Sequence, residues 1–463
     1  MTLVPGYRTI FLSIADIAII YVGILLALYL RLDFTGLYEQ VTFYNGFLKI
    51  AVATAVCTLS LYLHDLYDYS ALNDRRELLL RLIQALGIAW IFLALIFYFF
   101  PSLMLGRGIA IIAIALSLAL LLLFRMAIHF LFGHPFFGEH ILVVGDVQMI
   151  VDTVTAVHQR RDAGFRIVGY ATDDQTDGQL VPNMDVPMLG SINNIERIVS
   201  SRRVERIVIG VKERRGSFPA ETLLRLRLAD SVSIEESTSF FERVTGKVHL
   251  DNLRPSWLIF SIHSKRSWVS FLLRGFLQQA VALIGLIVSF PICLVTMVLI
   301  RVESPGSCFY KQTRVGKNGR LFTLYKFRSM RENAEADGEP LWASENDDRV
   351  TAVGRVIRKI RVDEIPQFWN ILKGEMRFIG PRPERPFFVQ NLAKEVPFYE
   401  YRHIVQPGLT GWAQIKYPYG SSVDDSREKL QYDIYYLKNQ SLVLDLIIMI
   451  ETIKTIIFGR GAR

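Results

Sequence analysis

The sequence predicts a membrane protein in three parts: an α-helical four-helix transmembrane bundle, a doubly wound α/β (Rossmann-like) domain, and a second α/β domain preceded by a membrane-inserted helix. Three observations predict it. Four long apolar stretches fill the first third, short apolar strands alternate with helical patterns from His140, and a fifth apolar run near residue 270 opens a charged C-terminal block. Composition agrees. Apolar residues make up 51% of the 463 residues and the mean hydropathy is +0.29, yet 21% of the residues are charged, so a membrane part and a water-exposed part must coexist.

The four stretches are Thr9–Leu30, Gly46–Leu63, Leu82–Phe100 and Gly108–Phe124, within 1–134. Each approaches the roughly 20 residues that a helix needs to cross a bilayer. No amphipathic helices lie between them to cover a soluble core. Arg75, Arg76 and Arg81 follow the second stretch, against little beyond Arg31 and Arg107 elsewhere, which predicts a cytoplasmic second connection and a cytoplasmic N-terminus. The first stretch lacks a basic leader and a cleavage site, so no cleaved signal is expected. Asp16, with no evident partner, is expected to face a helix neighbour near the interface rather than to mark a transport path.

Residues 138–240 read as the doubly wound domain, with strands at Ile141–Gly145, Arg166–Ala171 and Arg206–Val211. A dinucleotide fingerprint starting at Gly145 needs glycines at 147 and 150, where the chain has Val147 and Ile150. A Cβ there blocks close approach to a pyrophosphate. The domain is therefore expected to lack nicotinamide chemistry and to serve regulation or dimer formation, the chain forming a homodimer.

The fifth run, Val269–Ile300 within 265–301, has basic flanks on both sides: Lys265 and Arg266 before, Arg301, Lys311 and Arg314 after. A crossing helix shows asymmetry, so this one is expected to re-enter and turn back near Ser289 and Pro291, where proline removes a backbone donor. Residues 302–463 end in Ser441–Phe458, read as a helix lying on the membrane surface. Cys57, Cys293 and Cys308 form no C-x-x-C pair, and neither a disulfide framework nor a zinc site is expected.

The net charge is +8, and from Arg301 to Arg331 eight basic residues stand against Glu303 alone. Phosphorylated ligands and an anionic membrane surface suit this balance, and the membrane location argues against nucleic acid. Lys326 and Arg328, two apart, share one face of a strand. Asp363 and Glu364 lie in a run beginning Arg358-Lys359-Ile360-Arg361. Adjacent carboxylates among cations are common on helix surfaces, but the set suits phosphoryl transfer: one carboxylate can attack phosphorus, another can hold Mg²⁺, and arginines can offset charge on the phosphate oxygens. Prolines on either side fix Arg382, and Trp412 follows a turn where it is expected to stack on a base or anchor at the interface.

The order K-Q-x-R-V-G, K-F-R-S-M, D-E-x-P-Q, G-P-R-P and P-G-x-T-G-W-A-Q resembles the polyprenyl-phosphate glycosyl-1-phosphate transferases, also called monotopic phosphoglycosyl transferases, over about 265–463. The helices and degenerate nucleotide fold look like the large, WbaP-like members, and the ending Phe458-Gly459-Arg460-Gly461-Ala462-Arg463 like an exopolysaccharide-associated branch. The resemblance implies a monotopic catalytic domain, a re-entrant helix, Mg²⁺, a UDP-sugar donor and a polyprenyl (undecaprenyl) phosphate acceptor at the bacterial inner membrane. It implies Asp363 as nucleophile and Glu364 as the metal-associated carboxylate, with Asp363 alongside. It also implies donor contacts from Arg358, Arg382, Pro383 and Gln414 and support from Lys326 and Arg328. Two departures stand out: Arg361 where the family often has Ser, and Phe290 before Pro291 where it often has Ser. A membrane-bound nucleotide-sugar dehydratase requires a Tyr-x-x-x-Lys pair that the chain lacks, and a non-enzymatic scaffold or sensor leaves the five motifs unexplained.

Overall fold

The computed structural model describes residues 7–64, 66–67, 75–132, 139–159, 165–173, 186–210, 220–229, 232–250, 268–331, 348–417, 420 and 422–457. Val211, Lys265, Arg266 and the ending 458–463 lie outside them. The chain divides into two compact units, Met1–Thr245 and Gly246–Arg463.

The first unit opens with α1 (Tyr7–Phe43), α2 (Gly46–Leu63), α3 (Arg75–Phe99) and α4 (Arg107–Phe132). Among the described residues, five helices are long and apolar enough to cross a membrane: segments of these four and Gln278–Glu303. The helical path of α1 is interrupted at Asp33, whose φ is 61°, just beyond the apolar stretch. Ile20, Ile24, Leu28, Ile50, Leu61, Leu82 and Leu86 fill the bundle interior, while Ile14, Val22, Phe92, Ile111 and Leu123 face outward. Apolar residues on both surfaces suit lipid rather than water.

One expectation changes here: Arg75, Arg76 and Arg81 belong to the start of α3 rather than to a loop. Asp16 faces a helix neighbour, as expected, and finds there a partner that the sequence did not show: Arg125 Nη2 on α4 donates to Asp16 Oδ2 at 2.6 Å, and both side chains are fully buried. The Arg125 guanidinium also lies 5.5 Å from the centre of the Tyr67 ring. Burying two charges is tolerable only when each answers the other, and the pair ties the first bundle helix to the last.

The same unit holds a five-stranded parallel sheet in the order β3-β2-β1-β4-β5, with β1 (Glu139–Gly145), β2 (Phe165–Ala171), β3 (Met188–Gly190), β4 (Arg206–Gly210) and β5 (Ser233–Glu236). Helices α5 (Val147–Gln159), α6 (Ile195–Ser201), α7 (Ala220–Leu228) and α8 (Ser237–Thr245) accompany it. The strand order reverses between β1 and β4, where doubly wound folds take ligands. At that point Gly145 has φ 152°, and a Cβ on it would stand 2.1 Å from the Gly210 carbonyl oxygen. Ile150, in a fingerprint glycine's place, is fully buried in the core beneath the sheet.

The second unit begins with α9 (Trp268–Glu303), which runs as one continuous helix through Pro291. Ser289 Oγ donates to the Gly285 carbonyl at 2.6 Å. The hairpin β6 (Phe309–Val315) and β7 (Leu321–Phe327) turns at Asn318 and Gly319, both left-handed (φ 54° and 75°), the signature of an Asn-Gly turn. After it come α10 (Ala352–Lys359), a tight turn at Val362–Glu364, α11 (Gln367–Leu372), β8 (Arg377–Ile379) and α12 (Pro386–Glu395). The chain ends with β9 (Gly408–Thr410), paired in parallel with β8, and then α13 (Trp412–Lys416), α14 (Val423–Asn439) and α15 (Leu442–Ile457).

Two apolar clusters join α9 to this domain. Ala282 packs with Phe322, Leu324, Ile371 and Met376, and Ile300 packs with Phe327, Ile357 and Val362. At Gly285 a Cβ would stand 2.6 Å from the Phe368 ring, so only glycine lets α9 and α11 approach this closely. The other face of α9, with Ile284, Val288, Val295 and Val302, is exposed, as are Leu442, Val443, Leu446 and Met449 on α15. Trp412 overturns its expectation: it is 2% exposed, its Nε1 donates to the Gly246 carbonyl at 2.8 Å, and it packs beside Tyr435. It is a core residue and offers no face to a base or a membrane.

Candidate active site

The Asp363-Glu364 turn is built by what precedes it. Glu303, at the end of α9, accepts from the free backbone N–H groups of Ala352 at 2.7 Å and Val353 at 3.1 Å, placing a carboxylate on the N-terminus of α10. The Thr351 hydroxyl caps the same end by accepting from Gly354 N at 2.9 Å. The short helix stops at Lys359, and Arg361 adopts φ 59°, a left-handed conformation that costs a non-glycine residue about 1 kcal/mol or more. That reversal delivers Val362 to the core and tucks Asp363 and Glu364 inward, both nearly buried.

Three cations converge on Glu364 Oε1: Arg382 Nη2 at 2.9 Å, Lys326 Nζ at 3.3 Å and Arg361 Nη1 at 3.6 Å. Each comes from a different element: the loop after β8, strand β7 and the residue before the turn. Asn370 ties α11 to the strand that carries Lys326. It is fully buried on α11, its Oδ1 accepts from Tyr325 N at 3.2 Å, and its Nδ2 donates to the Thr323 carbonyl at 2.7 Å. It thereby completes the open edge of β7 beside Lys326.

The electrostatics separate the two carboxyls. Burial by itself would raise Glu364, but Arg382, Lys326 and Arg361 outweigh it and hold the carboxyl well below its ordinary range. Burial raises Asp363; Lys326 opposes this and the Glu364 charge reinforces it. Burial likewise lowers Lys326, against the pull of Glu364. One group is a fixed anion and its neighbour has a pKa shifted towards the working range, a division that suits acid, base or nucleophilic chemistry. Asp363 Oδ1 is buried without a hydrogen-bond partner. A buried oxygen left unpaired is costly, and at a site it is open to a ligand.

The other anticipated residues divide. Pro383 lies in the Arg382 loop, where its carbonyl accepts from Arg314 Nη1 at 2.9 Å. Arg358 is half-buried on α10 and makes no ion pair among the described residues. Arg328, one residue past β7, does not join Lys326 at Glu364. Its guanidinium donates to the Ser304 and Pro305 carbonyls at 2.6 and 2.7 Å, tying down the end of α9. Gln414 reaches the Leu409 carbonyl at 3.4 Å and its Oε1 is buried without a partner. Sequence reasoning gave no role to Asn370, Arg402 or Asp433; it counted Arg314 only as a basic flank and Arg361 only among the cations of its run.

Among the described residues no three His, Cys, Asp or Glu side chains converge as a metal cage. Mg²⁺ does not require one: it takes one or two carboxylates and fills its octahedron with substrate phosphates and water. The unpartnered Asp363 Oδ1 beside a second carboxylate fits that demand.

Residues 269–459 match the bacterial sugar transferase family, and residues 62–214 match a CoA-binding domain. The chain is 48% identical over 222 residues to the UDP-N-acetylgalactosamine-undecaprenyl-phosphate N-acetylgalactosaminephosphotransferase of Aeromonas hydrophila, covering 48% of this chain and 52% of that protein. It is 28% identical over 327 residues to the UDP-glucose:undecaprenyl-phosphate glucose-1-phosphate transferase of Xanthomonas campestris pv. campestris, covering 68% and 66%. It is 37% identical over 174 residues to an uncharacterized sugar transferase of Bacillus subtilis (strain 168), covering 37% of this chain and 80% of that one. The chain thus spans about half of the Aeromonas relative and about two thirds of the Xanthomonas one. On the five ordered motifs, the buried carboxylate pair and these matches, the chain belongs to the bacterial sugar transferase family.

Proposed function

We propose that the chain transfers a sugar 1-phosphate from a UDP-sugar to undecaprenyl (polyprenyl) phosphate, releasing UMP and starting a lipid-linked glycan such as an exopolysaccharide. The observation that carries this reading is the unpartnered Asp363 oxygen beside Glu364 and its three cations. The names of the Aeromonas and Xanthomonas relatives support the donor and acceptor classes.

The chemistry has two steps. An Asp363 oxygen forms a bond to the β-phosphorus, the bond between that phosphorus and the bridging oxygen breaks, and UMP leaves carrying the bridging oxygen and the electron pair. An oxygen of the lipid phosphate then attacks the same phosphorus, the aspartyl bond breaks, and a polyprenyl-diphosphate sugar is released with the carboxylate restored. Arg382, Lys326 and Arg361 offset charge on the phosphate oxygens. Without substrate, Glu364 keeps those cations gathered; Mg²⁺, held by Glu364 and Asp363 with the phosphates, would supply further charge neutralisation. Arg358, Pro383 and Gln414 belong to the donor site in this proposal.

Chemistry on a lipid phosphate must occur at headgroup depth, and a re-entrant α9 satisfies this. Ala282 and Ile300 both pack on the domain that bears the carboxylates. Their 18-residue separation is about 27 Å of straight helix, close to the hydrocarbon thickness. A straight crossing in that register would draw charged groups into hydrocarbon at a cost of several kcal/mol. We further propose four true crossings, both units' water-exposed parts in the cytoplasm at the bacterial inner membrane, and a homodimer in which the middle domain serves regulation or association. Purified protein with undecaprenyl phosphate and a panel of UDP-sugars tests the function: release of UMP supports it, and release of UDP or of nothing refutes it.

A further inference from the structure

The loop Gly380-Pro381-Arg382-Pro383-Glu384 is held at every residue by a backbone group. Gly380 N donates to the Thr410 carbonyl at 2.9 Å, Gly408 N donates to the Pro381 carbonyl at 2.9 Å, and Val315 N donates to the Glu384 carbonyl at 2.9 Å. The two central carbonyls are gripped by arginine side chains instead. Arg402 Nη2 donates to the Arg382 carbonyl at 3.1 Å, and Arg314 Nη1 donates to the Pro383 carbonyl at 2.9 Å. Burying guanidinium groups to bond backbone carbonyls is expensive, so an explanation beyond loop closure is required.

Their charge does not provide it. Arg402 stands 2.9 Å from Asp433, with those side chains 7% and 2% exposed, and Arg314 stands 3.3 Å from Glu384. Each is matched by a carboxylate, so the two add little net charge to the site, unlike the three cations around Glu364. Each is also fixed by a second donation: Arg402 Nη1 to the Tyr399 hydroxyl at 2.5 Å, Arg314 Nε to Gln312 Oε1 at 2.9 Å. What remains is geometry. A planar fork bonded on two or three sides sets a carbonyl's position more tightly than a lone ammonium does.

We infer that Arg402, aimed by Asp433, and Arg314 are positioning residues that act through Arg382, fixing its guanidinium against Glu364 and the donor phosphates. The inference rests on the transferase reading. A site held to about half an ångström outperforms one left loose, so loosening the loop lowers the rate of donor cleavage while the fold survives.

Arg402→Lys and Arg314→Lys, each alone and each combined with Arg382→Ala, test it in single-turnover UMP release, with thermal unfolding as the folding control. In the wild-type background each lysine variant is expected to slow release at least tenfold with an unchanged unfolding midpoint. In the Arg382→Ala background it is expected to slow it less than twofold, because the residue it acts through is gone. Equal losses in both backgrounds overturn the inference, as does a lysine variant with wild-type rate. If Arg402→Lys fails to fold, the Arg314→Lys pair decides by the same criteria. Wild-type protein that releases no UMP from any UDP-sugar overturns the transferase reading and this inference with it, whereas active wild type with additive losses overturns the inference alone.

Discussion

Arg382 Nη2 stands 2.9 Å from Glu364 Oε1, so the guanidinium fixed between two prolines is the nearest of three cations to the more acidic carboxylate. A side chain held this way on one edge still presents its remaining N–H groups to an anion. Arg382→Lys keeps the charge and loses the fork. With a charged hydrogen bond worth about 1.5–3 kcal/mol, kcat/KM for the UDP-sugar is expected to fall roughly 10- to 100-fold at unchanged thermal stability. Wild-type turnover in this variant would make Arg382 a turn residue only.

The pH profile of donor cleavage is expected to be narrower than ordinary side chains would give. Asp363 must be ionised to attack, and burial raises it, so the acid limb lies above the usual aspartate range. Lys326 must stay protonated, and burial lowers it, so the alkaline limb lies below the usual lysine range. Lys326→Arg keeps a cation with a far higher intrinsic pKa and is expected to move the alkaline limb up. Lys326→Met removes a charge that favours ionised Asp363 and is expected to move the acid limb up as well. Profiles of wild type and both variants by single-turnover UMP release check this; limbs that stay fixed contradict the assignment.

In the membrane bundle, Asp16→Asn leaves Arg125 buried without its counter-charge. Breaking one side of such a pair costs about 3–5 kcal/mol, whereas replacing both partners by apolar residues is close to neutral. Thermal unfolding in detergent is expected to show a large loss for Asp16→Asn and recovery for Asp16→Leu with Arg125→Met. Equal midpoints for Asp16→Asn and wild type would show that the pair contributes nothing.

The broken fingerprint at Val147 and Ile150, with Ile150 sunk in the core, leaves the middle domain without the usual approach for a pyrophosphate. Calorimetry is expected to detect no micromolar NAD(H) binding there, and such binding would refute the expectation.

What the sequence disclosed and what it hid follow one physical division. Patterns carried along the chain were legible: the apolar runs of α1 to α4, the buried strand Ile141–Gly145, and the adjacent pair Asp363-Glu364, which the fold keeps together on one turn. Contacts made across the chain were not. Asp16 and Arg125 are 109 residues apart, and Arg402 meets the Arg382 carbonyl across 20. Trp412 carried a turn's sequence and an exposed residue's expectation, but its environment is decided by Gly246 and Tyr435, neither adjacent in sequence. Arg328 misled differently. Its spacing from Lys326 promised a shared role, but its guanidinium is taken by the Ser304 and Pro305 carbonyls.

The central claim is that Asp363 is the nucleophile, and UMP release without any lipid acceptor tests it most directly. Two-step chemistry predicts a burst of UMP about stoichiometric with enzyme from UDP-sugar alone, a sugar-phosphate mass adduct on the peptide containing Asp363, and loss of both in Asp363→Asn. Glu364→Gln is expected to retain a slower burst with weakened Mg²⁺ dependence. A preparation fully active with undecaprenyl phosphate that yields neither burst nor adduct would contradict the account, because the lipid phosphate would then attack the donor directly.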